Sequence, residues 1–162
     1  MSKKTYTYKH TTFACYRGYI TQAIINNLAP LLFYIFHTSL NISYEQLSFL
    51  IVANFATQLT TDVWATKYAD RFGYRKCMVA AHAMSFAGLV MLGILPNILT
   101  YPYIGMIISV IVYAVGGGLL EVIVSPIIEA LPNDNKAGSM SLLHSFYCWG
   151  QMAVVLLSTL AI

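Results

Sequence analysis

Long apolar runs, rather than an alternation of apolar and polar positions, organise this chain. Five can be drawn, over residues 16–37, 46–66, 77–95, 104–131 and 138–162. Each approaches the roughly 20 residues that a helix needs to cross the hydrocarbon core of a bilayer. Short connections separate them: Asn41-Ile42-Ser43 after the first, Pro96-Asn97 and Tyr101-Pro102 after the third, Pro132-Asn133-Asp134-Asn135 after the fourth. The fourth run is long enough to tilt, or to kink at Pro126. The pattern predicts an all-α integral membrane protein with five transmembrane helices and no soluble domain.

Polar positions inside the runs recur at helical spacing. Asn54, Gln58 and Asp62 stand at i, i+4 and i+8, and so share one helix face. His144, Tyr147 and Gln151 follow i, i+3 and i+7, as do Tyr19, Gln22 and Asn26. The third run carries only His82 and Ser85, toward one end, and so reads as facing lipid. Polar stripes of this kind either line a solute cavity or hold helices together by hydrogen bonds, and spacing leaves both readings open. His144 is a candidate proton shuttle or a hydrogen-bonded core histidine.

Glu121 is the sharpest single candidate. It lies ten residues before Leu131, which at 1.5 Å per residue is about 15 Å, near the midplane of a bilayer core. An ionisable group there costs on the order of 3 kcal/mol on insertion scales, so it is expected to face a cavity or a partner. Taking up a proton or bonding a solute hydroxyl follows from that placement. Gly116, Gly117 and Gly118 lie one turn earlier, for close packing or for bending.

Composition agrees with the bilayer reading. The chain is 58 % hydrophobic and 9 % charged, where soluble domains carry about a quarter charged residues. Its mean hydropathy is +0.66. The nine Lys/Arg residues are Lys3, Lys4, Lys9, Arg17, Lys67, Arg71, Arg75, Lys76 and Lys136. All fall at the N-terminus, between runs two and three, or between runs four and five. Five alternating spans place those regions on one side, and the positive-inside rule makes that side, and the N-terminus, cytoplasmic. The net charge of +3 is thus a topology signal, and a nucleic-acid partner is not expected. Cys15, Cys77 and Cys148 show neither metal nor disulfide spacing and read as small core side chains. No nucleotide loop, nucleophile triad or metal-ligand cluster appears, so neither an enzyme nor a cofactor is expected. The first run is long, polar-studded and without a small-residue cleavage site, unlike a signal peptide.

Ala69-Asp70-Arg71-Phe72-Gly73-Tyr74-Arg75-Lys76, between runs two and three, resembles the signature cytoplasmic loop of the major facilitator superfamily. Asp70 can pair with basic residues, Gly73 permits a tight turn, and Arg75 and Lys76 anchor at headgroups. The family's usual glycine four residues before the acid is Thr66 here. The glycines of run four with Glu121, Ser125 and Pro126 are similar to the fourth helix of the fucose:proton symporter group. His144, Phe146 and Gly150 are similar to its fifth helix, and Asn26-Asn27-Leu28 to its first. Where those symporters carry a carboxylate shortly after that triplet, this chain has Ala29 and Pro30.

The resemblance implies five helices of a six-helix N-terminal half-bundle, truncated, with the C-terminal half absent. It implies a secondary transporter of a sugar or related small polar solute, with H+ as the candidate coupling ion, working by alternating access in the cell (inner) membrane. Glu121 and His144 would then serve proton coupling or substrate. Gln22, Asn26, Asn27, Asn54, Gln58, Tyr147 and Gln151 would line the cavity. Asp62, Asp70, Arg71, Gly73, Arg75, Lys76 and Glu129 would form a gating or cytoplasmic motif group, in which Glu129 could pair with Arg71 or Arg75 as a latch, or act only as an anchor. A small membrane scaffold or accessory subunit without transport activity is the alternative.

Overall fold

The computed structural model describes residues 8–132 and 134–161. Lys3, Lys4, Asn133 and Ile162, used above for topology, a turn and the end of the fifth run, lie outside the described residues. Among those described, every regular element is helical: α1 Tyr8–Leu31, α2 Phe33–Leu40, α3 Tyr44–Phe72, α4 Tyr74–Ile98, α5 Pro102–Ala130 and α6 Lys136–Ala161.

The expected first span is two helices. α1 and α2 meet at a 43° bend, and Pro30 explains its place. Proline has no N–H to give to the carbonyl one turn back, and its ring crowds that carbonyl. Just beyond it, the Leu32 N–H is shared between the carbonyls of Leu28 (3.3 Å) and Ala29 (3.1 Å). α5 runs through Pro126 as one helix, unlike the first span at Pro30. α2 ends at Asn41 in the left-handed conformation, and Ser43 opens α3 with a capping box closed by Gln46.

α4, α5 and α6 are each long and apolar enough to cross a membrane, and the bent α1–α2 pair makes up to four such spans. α3, 29 residues long, falls short on composition. The reason is its sidedness. Leu47, Leu50, Asn54, Gln58, Thr61, Ala65 and Ala69 are buried, whereas Phe49, Val52, Phe55, Leu59 and Val63 are exposed. In the middle of α3, Asn54, Gln58 and Thr61 face the interior while the outer face is mostly apolar, with Ser48 and Thr60 among its exposed residues.

α5 is the central helix, touching α4, α3, α1 and α6. Apolar side chains gain little by leaving lipid for a protein interior, so helices in a bilayer associate through close contact between small residues. Gly88 on α4 lies so near α5 that a Cβ there would stand 2.4 Å from the Tyr113 backbone nitrogen. A Cβ on Gly116 would stand 2.4 Å from Ser85 Oγ on α4, and one on Gly118 2.9 Å from the Gln58 carbonyl on α3. The glycine triplet therefore packs one helix against two neighbours, settling its role as close approach. α4 keeps Ser85 buried against this seam while Val79, Phe86, Val90 and Ile94 stay exposed.

Two apolar clusters sit at either end of the bundle. One gathers Cys15, Ala69, Cys77, Leu120, Ile123 and Ile128; the other gathers Ile25, Leu47, Leu92, Met106 and Tyr113. The glycine triplet falls between them. Cys15 and Cys77 are core side chains as expected, but Cys148 is exposed.

Gly73 alone joins α3 to α4, at φ 85° and ψ 130°, a conformation that side-chain-bearing residues rarely adopt. The start of α1 adjoins the start of α4, as His10, Tyr74 and Arg75 line one groove. It also adjoins the α5–α6 connection, as Tyr8, Lys9, Leu131 and Ser139 line another. The described basic connections thus share one end of the bundle.

Candidate functional site

A cavity of about 400 Å³ opens at the waist of the bundle. α1 contributes Tyr19, Gln22 and Asn26; α3 contributes Phe55, Gln58, Leu59 and Asp62; α5 contributes Glu121; α6 contributes His144 and Tyr147. The i, i+3, i+4 repeats seen in the sequence aim these groups at one space, because residues at those offsets lie on one side of a helix.

The polar groups are wired across helices. Gln22 Nε2 donates to Glu121 Oε2 at 2.9 Å, linking α1 to α5. Gln58 Nε2 donates to Asn26 Oδ1 at 2.7 Å and to Asn54 Oδ1 at 3.1 Å. Asn26 Nδ2 in turn donates to the Tyr147 hydroxyl at 3.3 Å, completing a chain from α3 through α1 to α6. Tyr147 is the acceptor there, so its own hydrogen remains for another acceptor. Tyr19 shares a 3.0 Å hydrogen bond with Ser125, and its ring meets His144 edge-on at 5.4 Å.

Gln22, Asn54 and Gln58 are buried. Glu121 is exposed to the cavity rather than enclosed between helices. Its cost in the bilayer is therefore met by an open, polar space and by Gln22. Asp62 Oδ1 is buried and lacks a hydrogen-bond partner among the described residues.

Several of the expected cavity residues lie elsewhere. Asn27 turns back to its own helix, donating to the Ala23 carbonyl at 2.8 Å. Gln151 is exposed and does not line the cavity. Asn54 sits above it, beside Pro30 and Tyr113, where only a small void remains. Asp62, grouped from sequence with the cytoplasmic motif, stands in the cavity wall, one turn along α3 from Gln58. Tyr19, Phe55 and Leu59 complete the wall; the two apolar residues flank the α3 polar stripe, and only that adjacency could have marked them.

At the basic end, Asp70 accepts a 2.6 Å hydrogen bond from the Tyr74 hydroxyl. The Arg71 guanidinium lies 5.8 Å from the Tyr68 ring centre. Lys136 Nζ donates to the backbone carbonyls of Glu129 and Leu131. Among the described residues, no ion pair joins Glu129 to Arg71 or Arg75. His, Cys, Asp and Glu side chains form no metal-type grouping among the described residues.

The family model described as Major Facilitator Superfamily matches residues 18–162. No curated protein and no solved structure matches the chain.

Proposed function

The chain belongs to the Major Facilitator Superfamily of membrane transporters, and on that premise we propose that its waist cavity binds a sugar or related small polar solute. Transport is by alternating access, with proton coupling at Glu121. What carries this reading is the lining itself. Carboxamides from Gln22, Asn26 and Gln58 and the Tyr147 hydroxyl, each able to donate and accept, converge beside a carboxylate that Gln22 holds in place. That mixture matches a polyhydroxylated solute better than an apolar one. His144, against Tyr19, is the second proton-bearing group of the site.

In this reading α3 is a fifth span, supported by its apolar outer face and inward polar stripe. The basic end of the bundle is cytoplasmic, with the N-terminus, in the cell membrane. A second helical half closes the open side of the cavity. The fucose-type proton symporters remain the nearest expectation for chemistry, through Glu121, Ser125 and Pro126 on α5. Proton-driven uptake of labelled monosaccharides, compared with exchange of the same sugars without a gradient, tests the assignment. Glu121→Gln is expected to lose accumulation and keep exchange. Accumulation by Glu121→Gln at the unaltered rate would refute the coupling role.

A further inference from the structure

We infer that Asp62 is a further proton-carrying residue of this site, and that it holds a proton in this conformation. This deepens the coupling reading given above and rests on it for the residue's part in transport. The enclosure of one oxygen, and the groups that surround it, lead there.

Asp62 Oδ1 is buried and has no hydrogen-bond partner among the described residues. It stands 2.9 Å from the point that a Cβ on Gly118 would occupy, so the α5 backbone covers it. The other atoms nearest that point are the Gln58 carbonyl oxygen and Thr61 Cβ, each also at 2.9 Å, and neither donates a hydrogen bond. The Gln58 amide nitrogen, one turn back, is committed to Asn26 and Asn54. An oxygen enclosed in this way is closed to a solute in the cavity.

An ionised carboxylate only accepts hydrogen bonds, and a buried charge without a partner takes up a proton instead. The groups that face Asp62 from the neighbouring helices supply no compensating charge. α5 offers Glu121, a second carboxylate; α1 offers the neutral Tyr19; α6 offers His144 and Tyr147. No Lys or Arg lines the cavity. The His144 ring meets Tyr19 edge-on, and among the described residues it makes no hydrogen bond or ion pair with Asp62. On α4, His82 turns to the Met78 carbonyl of its own helix.

One proton answers both needs. It removes the charge, and a protonated carboxyl becomes a donor. The Gln58 carbonyl offers an acceptor at the i−4 offset that Thr61 and Thr66 already use on this helix. Loss of the proton would leave a bare charge against Gly118, so release goes with a parting of α3 from α5 at that seam. Proton occupancy is thereby tied to a helix contact that alternating access can change.

Infrared spectra of the purified chain, in an ester-free detergent at neutral pH, report whether a carboxyl is protonated. Of the six carboxyl side chains, only Asp62 and Glu121 line the cavity. Isotope-labelled aspartate separates these two. Asp70 and Asp134 are exposed, so a labelled acid band points to Asp62 without any variant. Such a band is expected, lost in Asp62→Asn and kept in Glu121→Gln, with circular dichroism confirming that both variants stay helical. Asp62→Asn is also expected to lose gradient-driven accumulation of monosaccharides and keep their exchange. Absence of a labelled acid band, or its survival in folded Asp62→Asn, would overturn the inference. Accumulation by Asp62→Asn at the unaltered rate would overturn the coupling role. The band is read without solute, so failure of the unaltered protein to take up any sugar would count against the solute-site reading, and the band would still decide whether Asp62 holds a proton.

Discussion

Gly88→Ala and Gly93→Ala add the same methyl group to the same helix, five positions apart, and are expected to act with opposite sign. At Gly88 the new carbon would stand 2.4 Å from the Tyr113 nitrogen, 2.7 Å from its Cβ and 2.8 Å from its Cα. Ordinary contact begins near 3.4 Å, so α4 and α5 would have to part by about 1 Å at their closest point. The atoms met are backbone and Cβ, which cannot swing aside as a side-chain tip can. Overpacking of this kind costs about 1–3 kcal/mol, occasionally more. The gain in helix propensity on replacing glycine by alanine returns up to about 1 kcal/mol. The repulsion should dominate, because separating the helices also weakens the adjoining Gly105 and Gly116 contacts. At Gly93 nothing lies within 4 Å of the new carbon, so only the propensity gain remains, roughly 0.5–1 kcal/mol of stabilisation. Thermal unfolding in one detergent, followed by circular dichroism, reads the contrast. A change of 1 kcal/mol moves Tm by about 2–4 °C for a chain of this size. Gly88→Ala should therefore fall by several degrees while Gly93→Ala holds or rises. A Gly88→Ala protein as stable as the parent would refute the close-contact account of the α4–α5 seam. Equal losses at both positions would refute it too, pointing to glycine as a need of the helix itself.

Gln22→Leu removes the donor to Glu121 while keeping similar bulk; a net hydrogen bond is worth about 0.5–1.5 kcal/mol, so solute affinity should weaken roughly three- to tenfold with helix content unchanged. No change in affinity would place Gln22 outside the site. Gly73→Ala must hold φ near +85° at ψ 130°, a sparsely populated conformation costing about 1–3 kcal/mol, which denaturant unfolding would register; an unshifted midpoint would mean that the α3–α4 junction rearranges freely. Glu129→Gln tests whether a latch to Arg71 or Arg75 forms in another conformation of the cycle, since no such pair is made here. Transport rate should change more than solute affinity, and a change in affinity alone would exclude the latch.

Helix existence and the sidedness of most helices were legible from the chain, because both are local properties. A run of apolar residues reports length, and offsets of three and four report a face, without reference to any neighbour. On that basis Gln22, Asn26, Gln58, Glu121, His144 and Tyr147 could be set on inward faces before any coordinates. The structure places Asn27 and Gln151, expected on the same faces, outside the cavity lining. Whether a polar group at a helix edge reaches a cavity depends on the rotation of its helix, and only packing sets that. For Asn27 the carbonyl of Ala23, four residues back, was a nearer partner than the cavity.

Other features were decided by contact between helices. Pro30 and Pro126 are both prolines within helical stretches, yet one accompanies a 43° bend and the other lies within a continuous α5. The surroundings differ: Ile123, Val124 and Ile128, around Pro126, belong to one of the two core clusters, whereas α2 beyond Pro30 has no buried residue. The role of Gly116 to Gly118 was likewise open between bending and packing, and the nearness of Ser85 and Gln58 resolves it. Asp62 shows the division most clearly. Its helix face follows from its spacing to Asn54 and Gln58, so the sequence determined that it points with them. Only the approach of α5, made close by Gly118, sets it beside Glu121 and leaves its Oδ1 without a hydrogen-bond partner among the described residues. The chain by itself determines periodicity and charge placement because these depend on near neighbours in sequence. The pairing of side chains from α3 and α5, nearly sixty residues apart, depends on how the helices pack, and so belongs to the tertiary structure.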